Sequence, residues 1–186
     1  SHIPNLKETF DAIYKSLSDN GVFVFEDPYI GSVIKMNSYD QFYDEHVHLF
    51  SLIAISNLLE ESKLKVFDVD ILSTHGGSIR FYAAKNNSNL RENSKVKNLK
   101  KKEIKFGLNK LKTYNKFASR VKKSKKDLVS LLKKLKLKGK KVVSYGATYK
   151  SATIFNYCNI GSDLIEYVLD STKNKQGKYT PGKHIL

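Results

Sequence analysis

Apolar and polar residues alternate along the first half of the chain in patterns that predict helices and strands. Apolar positions recur three or four residues apart over 6–17, which predicts an amphipathic helix. Residues 22–26 then form a short apolar run, which is typical of a strand buried on both faces. A loop over 27–31 is predicted to follow, with Glu26 and Asp27 facing a cleft at the carboxyl end of the strand.

Residues 50–84 continue with one helix and two strands. Regularly spaced apolar residues predict a buried helix to about 62, and partly alternating residues over 66–72 predict a strand. A turn over 73–77 connects it to a second strand over 78–84, so the two strands are predicted to form a hairpin at the edge of the same sheet. The order helix, strand, helix, strand, strand is typical of the closing half of a nucleotide-type α/β domain.

The segment 41–50 concentrates ionisable and aromatic side chains. Residues 42, 45, 46 and 49 stand at positions i, i+3, i+4 and i+7, which predicts the first turns of a helix that carries apolar and ionisable groups on one face. An imidazole such as His46 beside the carboxylate of Glu45 and the phenol of Tyr43 is suited to proton transfer near neutral pH. The alternative is a partly exposed histidine at a helix start that takes no part in chemistry.

The second half of the chain begins with a polar stretch over 86–98 that has the character of a linker. Apolar residues with helical spacing over 104–135, surrounded by lysines, predict one long helix or two consecutive helices packed on one side. Gly139 is predicted to end this helical region. A strand over 141–147, a helix over 151–158 and a strand over 164–170 then predict a second, smaller α/β unit.

Two features of this smaller unit are candidate ligand contacts. A strand, a glycine turn and a helix start near Lys150 can bind phosphate through backbone N–H groups, although only Gly146 remains of the three glycines of a dinucleotide-binding turn. The basic tail 173–182, which contains Lys175 and Tyr179, is either solvated or faces a ligand.

The composition describes an ordinary globular protein of 186 residues, with 40% hydrophobic and 27% charged residues. A single cysteine, Cys158, excludes a disulfide framework and a cysteine zinc cluster within the chain, and it is expected to be a buried small apolar residue. No apolar run reaches the length of a membrane span and no signal peptide opens the sequence. The single cysteine fits a reducing compartment, so we expect a cytoplasmic protein. The chain starts at Ser1 without an initiator Met, which suggests a fragment or a processed product.

The net charge of +15 raises the question of nucleic-acid binding. Most of the excess lies over 95–141 and is nearly all Lys, without the interleaved aromatic residues that stack on bases. This distribution favours lysines on solvated helix faces. Binding of an anionic ligand and binding of nucleic acid are the alternatives.

Three parts of the sequence together resemble one enzyme family. These are 43–46 with the following 50–52, the segment 74–80, and the closing segment 156–184. With the opening 2–4, their order and spacing resemble the C-terminal portion of the S-adenosylmethionine-dependent sugar C-methyltransferases of the NDP-4-keto-deoxyhexose 3-C-methyltransferase type. The resemblance extends over nearly the whole chain.

The resemblance implies an α/β fold in three parts. Residues 1–85 would be the closing half of a Rossmann-like methyltransferase sheet, 86–138 a Lys-rich helical linker, and 139–186 a small Rossmann-like C-terminal domain. A zinc-binding domain and the glycine-rich main cofactor loop would precede this chain in the same polypeptide. The fragment is therefore expected to be inactive alone, to bind S-adenosylmethionine poorly, and to hold no metal itself.

The resemblance also implies the chemistry. Active-site residues fall at His2, Tyr43, Glu45 and His46, and the methyl group of S-adenosylmethionine would move to the carbon next to the ketone of a nucleotide-linked 4-keto-deoxy sugar. We expect His46 to remove the proton from that carbon with Glu45 supporting the imidazole. The enolate oxygen that results would be stabilised by Tyr43 or His2.

Lys150, Lys175 and Tyr179 are the predicted contacts to the nucleotide-sugar substrate. Two other hypotheses lead to different expectations. A nucleotide-sugar-binding module that is inactive alone would bind its ligand without turnover, and a basic nucleic-acid-binding protein would bind generic DNA with a steep salt dependence.

Overall fold

The computed structural model describes all 186 residues, and they form two compact units. The first unit comprises 1–38 and 44–117, and the second comprises 39–43 and 118–186. Both contain helices and a small sheet, which confirms the α/β class. None of the helices is both long enough and apolar enough to cross a membrane.

The first unit contains eight main elements in chain order, the last of which continues into the second unit. They are α1 (Leu6–Ser16), β1 (Phe23–Pro28), α2 (Ile30–Met36), α3 (Leu52–Glu61), β2 (Leu64–Leu72), β3 (Ser78–Lys85), α4 (Ser94–Phe106) and α5 (Leu111–Leu137). The second unit adds β4 (Ser144–Tyr145), α6 (Tyr149–Cys158) and β5 (Val168–Leu169), with short 3-10 turns at Tyr39–Gln41 and Lys173–Lys175.

The sheet of the first unit has the order β1-β3-β2, and β3 is antiparallel to both of its neighbours. The predicted hairpin is therefore confirmed, with β2 at one edge of the sheet and β1 at the other. Because β1 and β2 run in the same direction, their carboxyl ends lie at the same edge. Arg80 in β3 lies opposite both Glu26 and Asp70, and its guanidinium pairs with Glu26 at 2.9 Å.

The core of the first unit forms where α1, α3 and α4 pack against one face of this sheet. Phe81 and Ile79 of β3 are fully buried there, and Phe25 stacks on Phe81 with ring centroids 4.8 Å apart. The helix contributions include Phe10 and Val96, which are also buried. Burial of each such large apolar side chain stabilises the unit by roughly 1.5–3 kcal/mol.

The strand β1 is buried on one face only, so the prediction that both faces are buried is wrong. Phe23 and Phe25 stack on each other at 4.9 Å and face the core, whereas Val22 and Val24 on the opposite face are 46% and 47% exposed. The predicted loop after the strand is also shorter than expected, since β1 runs to Pro28 and α2 begins at Ile30.

The Lys-rich region forms two helices. The predicted linker ends earlier than expected, because Asn93 caps α4 by accepting a hydrogen bond from the Lys95 N–H. At the other end Gly107 takes a left-handed conformation with φ 85° and ends α4. Three positions differ from the apolar pattern, because Ile104, Leu111 and Leu131 are 51%, 74% and 54% exposed. Glu103, the neighbour of Ile104, is buried instead.

The second unit is built on two short parallel strands, β4 and β5, connected through α6. The predicted strands over 141–147 and 164–170 shorten to two residues each, because only Ser144 and Tyr145 pair with β5. The core of this unit lies between α5, α6 and the chain end. Its buried residues are Leu132, Phe155, Cys158, Ile160, Leu164, Ile165 and Ile185.

Candidate active site

The segment 44–50 is an irregular loop, which corrects the prediction that a helix begins there. Two of its backbone groups bond to neighbouring segments. The His48 N–H donates to the Ser1 carbonyl at 3.3 Å, and the Phe50 carbonyl accepts from the Ile30 N–H at 3.0 Å. The helix starts only at Leu52, after the Ser51 hydroxyl caps it.

The first residues of the chain lie beside this loop. The Ser1 nitrogen lies 2.5 Å from Asp27 Oδ1, at the carboxyl end of β1. His48 Nε2 lies 3.4 Å from the Pro4 carbonyl. Asp27 thus lies at the sheet edge where a cleft was expected, whereas Glu26 pairs with Arg80 across the sheet instead.

These contacts bring together three of the predicted catalytic residues: His2, Glu45 and His46. The rings of His2 and His46 meet edge to face with centroids 5.2 Å apart and planes at 87°. Glu45 Oε2 lies 3.8 Å from His2 Nε2, and the Ser1 hydroxyl lies 3.1 Å from His2 Nδ1. His2 and Glu45 remain 59% and 50% exposed, so a ligand has access to them, while His46 is half-buried.

This arrangement suits proton transfer. An imidazole accepts a proton near neutral pH, and a second imidazole with a carboxylate partner can stabilise the charge that results. The sequence predicted that Glu45 supports His46; in the structure the carboxylate of Glu45 faces His2, which in turn packs against His46. The His2–Glu45 pair is exposed, so its direct electrostatic contribution to stability is small.

The fourth predicted catalytic residue, Tyr43, belongs to the second unit. Its ring stacks on Tyr149 with centroids 5.8 Å apart and planes at 7°. Its role in stabilising an enolate stays a prediction. Nearby in the same unit, Tyr39 lies 3.6 Å from the sulfur of Cys158, which is buried as expected. Burial, together with this hydrogen bond, raises the pKa of Tyr39 to about 12.

The predicted substrate contacts Lys150, Lys175 and Tyr179 also lie in the second unit. Lys150 stands in the first turn of α6, and Tyr179 is 68% exposed. Lys175 has structural partners, because its ammonium donates to the Ala147 carbonyl at 2.7 Å and lies 3.6 Å from Asp170. It thereby ties the turn after β4 to the end of β5.

Asp170 organises this turn from the end of β5. Its carboxylate accepts hydrogen bonds from the backbone N–H groups of Thr172 at 2.8 Å and Ala147 at 2.7 Å. These bonds, with the Lys175 ammonium, hold the pKa of Asp170 at about 2. The turn continues into α6 through a capping box, in which Thr148 and Ser151 each bond to the other's backbone N–H.

One further residue of the first unit was missed by sequence reasoning. Glu103 of α4 is buried, and its carboxylate accepts from the backbone N–H groups of Leu52 and Ile53 at 2.7 and 2.9 Å. The only signal was a single acidic residue in an otherwise basic helix. No group of three or more His, Cys, Asp or Glu side chains lies close enough to hold a metal ion.

Two comparisons with known proteins identify the family of this chain. A family model described as the C-methyltransferase C-terminal domain matches residues 73–186. The C-methyltransferase NovU of Streptomyces niveus is 32% identical over 185 residues, which cover 100% of this chain and 44% of that protein. The chain thus spans less than half the length of this relative. With the matched model covering more than half of its residues, the chain belongs to the C-methyltransferase family.

Proposed function

We propose that this chain is part of an S-adenosylmethionine-dependent enzyme that methylates the carbon next to the ketone of a nucleotide-linked 4-keto-deoxy sugar. The observation that carries the proposal is the contact of the His2 and His46 rings beside Glu45, within a chain of the C-methyltransferase family. A carbon acid of this kind needs a positioned base before it can attack a methyl donor.

In the proposed mechanism, His46 removes the proton from the carbon next to the ketone. The half-buried ring is held from one side by His2, whose own Nε2 faces Glu45. As the ketone oxygen gains negative charge, a protonated His2 can donate a hydrogen bond to it, and Glu45 stabilises the charged form of His2. A single positioned base contributes roughly 10²- to 10⁴-fold to the rate.

S-adenosylmethionine, when bound, supplies a methyl group on a positively charged sulfur, which the substrate carbon attacks. The connection from β1 to α2 does not offer an open glycine turn for this cofactor. A Cβ on Gly31 would lie 2.5 Å from carbon atoms of the Tyr29 ring, so that ring already fills the space. We therefore assign the main cofactor loop to the part of the enzyme outside this chain.

The topology of the first unit supports an assignment of its sheet to the closing half of a Rossmann-like methyltransferase sheet. An antiparallel strand, β3, lies between two strands that run in the same direction, and β1 has one edge without a partner strand. We propose that residues 1–85 belong to that domain, 86–138 connect it, and 139–186 form the small C-terminal domain. The open edge of β1 would pair with a strand of the preceding part.

We assign the nucleotide contacts to the second unit. Lys150 at the start of α6 and the exposed Tyr179 offer a cation for phosphate and a ring for stacking. Lys175 is a weaker candidate, because the Ala147 carbonyl and Asp170 already engage its ammonium.

A methyl-transfer assay tests the proposed function directly. The full-length enzyme would be incubated with S-adenosylmethionine and a panel of nucleotide-linked keto sugars, with the corresponding 4-hydroxy sugars as matched controls. We expect methylation of at least one keto sugar and of no hydroxy sugar, because only the ketone acidifies the neighbouring carbon. Binding of a nucleotide sugar without any turnover would instead identify a binding module.

A further inference from the structure

We propose that Glu103 is a positioning residue for the active-site loop: it holds the start of α3 in place and thereby sets the position of His46. This inference rests on the proposed function. It assigns a role to a residue of the Lys-rich region, which the mechanism above does not use.

The contact of Glu103 with α3 has the geometry of a helix cap supplied from another helix. Its two carboxylate oxygens accept separately from the Leu52 N–H at 2.7 Å and the Ile53 N–H at 2.9 Å. These are N–H groups of the first turn of α3, which have no carbonyl partner within their own helix. The negative charge also lies at the positive end of the helix dipole. Ser51 caps the same turn by accepting from Ala54, so Glu103 adds to an existing cap.

Burial makes this arrangement unusual for a carboxylate. Glu103 is 1% exposed and is among the largest fully buried side chains of the protein. Burial raises the pKa of Glu103 above its usual value, although hydrogen bonds from Ile53, Leu52 and Tyr29 oppose that rise. An apolar residue at this position would avoid the cost of burying a charge. A role in fixing geometry gives a reason for the carboxylate.

A third partner connects Glu103 to the carboxyl end of β1. The Tyr29 hydroxyl lies near the Glu103 carboxylate, and burial with the nearby charge raises the pKa of Tyr29, so the hydroxyl keeps its proton and can donate to the carboxylate. Gly31 permits this, because any side chain there would collide with the Tyr29 ring. The backbone of Tyr29 in turn forms a bridge with Phe50, the residue before the Ser51 cap.

Glu103 therefore joins the two segments that frame the active-site loop. On one side is the segment that follows β1, where the Tyr29 backbone pairs with Phe50. On the other is the start of α3, which follows His46 along the loop. Without Glu103, both segments keep their other contacts, but the loop 44–50 is held less rigidly. A displacement of about 1 Å in a catalytic group can reduce a rate roughly 10²-fold.

The test compares Glu103→Gln with Asn93→Ala in the full-length enzyme. Gln keeps the shape of Glu103 and one acceptor oxygen, so one of the two α3 N–H groups loses its bond. Asn93→Ala removes the cap of the same helix, about 15 Å away along the α4 axis. Both variants are expected to lower the melting temperature by a few degrees. Only Glu103→Gln is expected to lower kcat, by roughly 10- to 100-fold, with KM for both substrates unchanged.

Two further measurements keep the inference testable if Glu103→Gln does not fold or if no substrate is turned over. Tyr29→Phe removes the hydroxyl that can donate to Glu103, and it should lower kcat by a smaller factor than Glu103→Gln does. NMR spectra of the histidine rings should show altered His2 and His46 signals in Glu103→Gln and unchanged signals in Asn93→Ala. A kcat of Glu103→Gln equal to that of the wild type, or unchanged ring signals in this variant, would overturn the positioning role. Absence of turnover in the wild type together with altered ring signals would contradict the proposed function alone.

Discussion

The rings of His2 and His46 meet edge to face with their centroids 5.2 Å apart. One residue belongs to the first segment of the chain and the other to the loop before α3. Neither segment is helical or part of a strand, so their meeting depends on contacts made by neighbouring residues. The bond from the His48 N–H to the Ser1 carbonyl joins the two segments, and the bond from the Ile30 N–H to the Phe50 carbonyl holds the loop.

Replacement of His46 by Asn tests the assignment of the base. Asn keeps a polar side chain of similar reach but cannot accept a proton near neutral pH. In the full-length enzyme we expect kcat to fall by roughly 10²- to 10⁴-fold with little change in the affinity for either substrate. Exchange of deuterium at the carbon next to the ketone should fall in parallel. Near-normal exchange and methylation in this variant would show that another residue is the base, and His2 would be the next candidate.

The role of Glu45 is tested by Glu45→Gln, with Asp44→Asn as its matched control. Glu45 Oε2 lies 3.8 Å from His2 Nε2, so its negative charge favours the protonated form of His2, and the neutral amide removes that support. We expect a reduced kcat and a shift of the basic limb of the pH–rate profile to lower pH, because the protonated form of His2 is the proposed donor to the enolate oxygen and has lost its carboxylate partner. The neighbouring Asp44→Asn should leave the profile unchanged. An identical shift in both variants would indicate a general effect of surface charge.

Two adjacent glycines of the β2–β3 turn offer a matched comparison of stability. Gly76 and Gly77 both have positive φ, at 84° and 119°, but a Cβ on Gly76 meets nothing within 4 Å. A Cβ on Gly77 would lie 2.4 Å from the Ser32 Cβ. Gly76→Ala should cost about 1–2 kcal/mol of backbone strain, whereas Gly77→Ala adds an overpacking cost of about 1–3 kcal/mol. Denaturant unfolding measures both, and equal losses would argue against the Ser32 contact.

The stability of the second unit should depend on pH through Asp170. Its folded pKa of about 2 lies below the unfolded value of about 3.9. The charged form therefore stabilises the fold above pH 4, and this contribution is lost as the pH falls through 2. Asp170→Asn should be less stable than the wild type at pH 7, and the difference should shrink between pH 4 and pH 2. Thermal unfolding across this range provides the measurement. Asp127→Asn, which alters only an exposed pair with Lys123, is the control and should show no such convergence.

The periodic pattern of apolar residues determined most of the secondary structure of the first unit. The helices α1 and α3 and the strands β1, β2 and β3 all lie within a few residues of their predicted positions. Long amphipathic segments have few ways to bury their apolar side, so local sequence is sufficient for them. The motifs around 43–46 and 74–80 likewise identified the family, which the comparisons then confirmed.

Tertiary contacts decided the features on which the chemistry depends. The spacing of 42–49 fits a helix, but the loop forms because its backbone groups find partners in Ser1 and Ile30. Likewise the pattern indicated Ile104 as a buried position, whereas the structure buries Glu103, because the start of α3 offers two N–H donors to a carboxylate there. Periodicity reports which side of a segment is apolar. It carries no information on the distant donors and acceptors that become available once the chain has folded, and those partners bring His2 to His46.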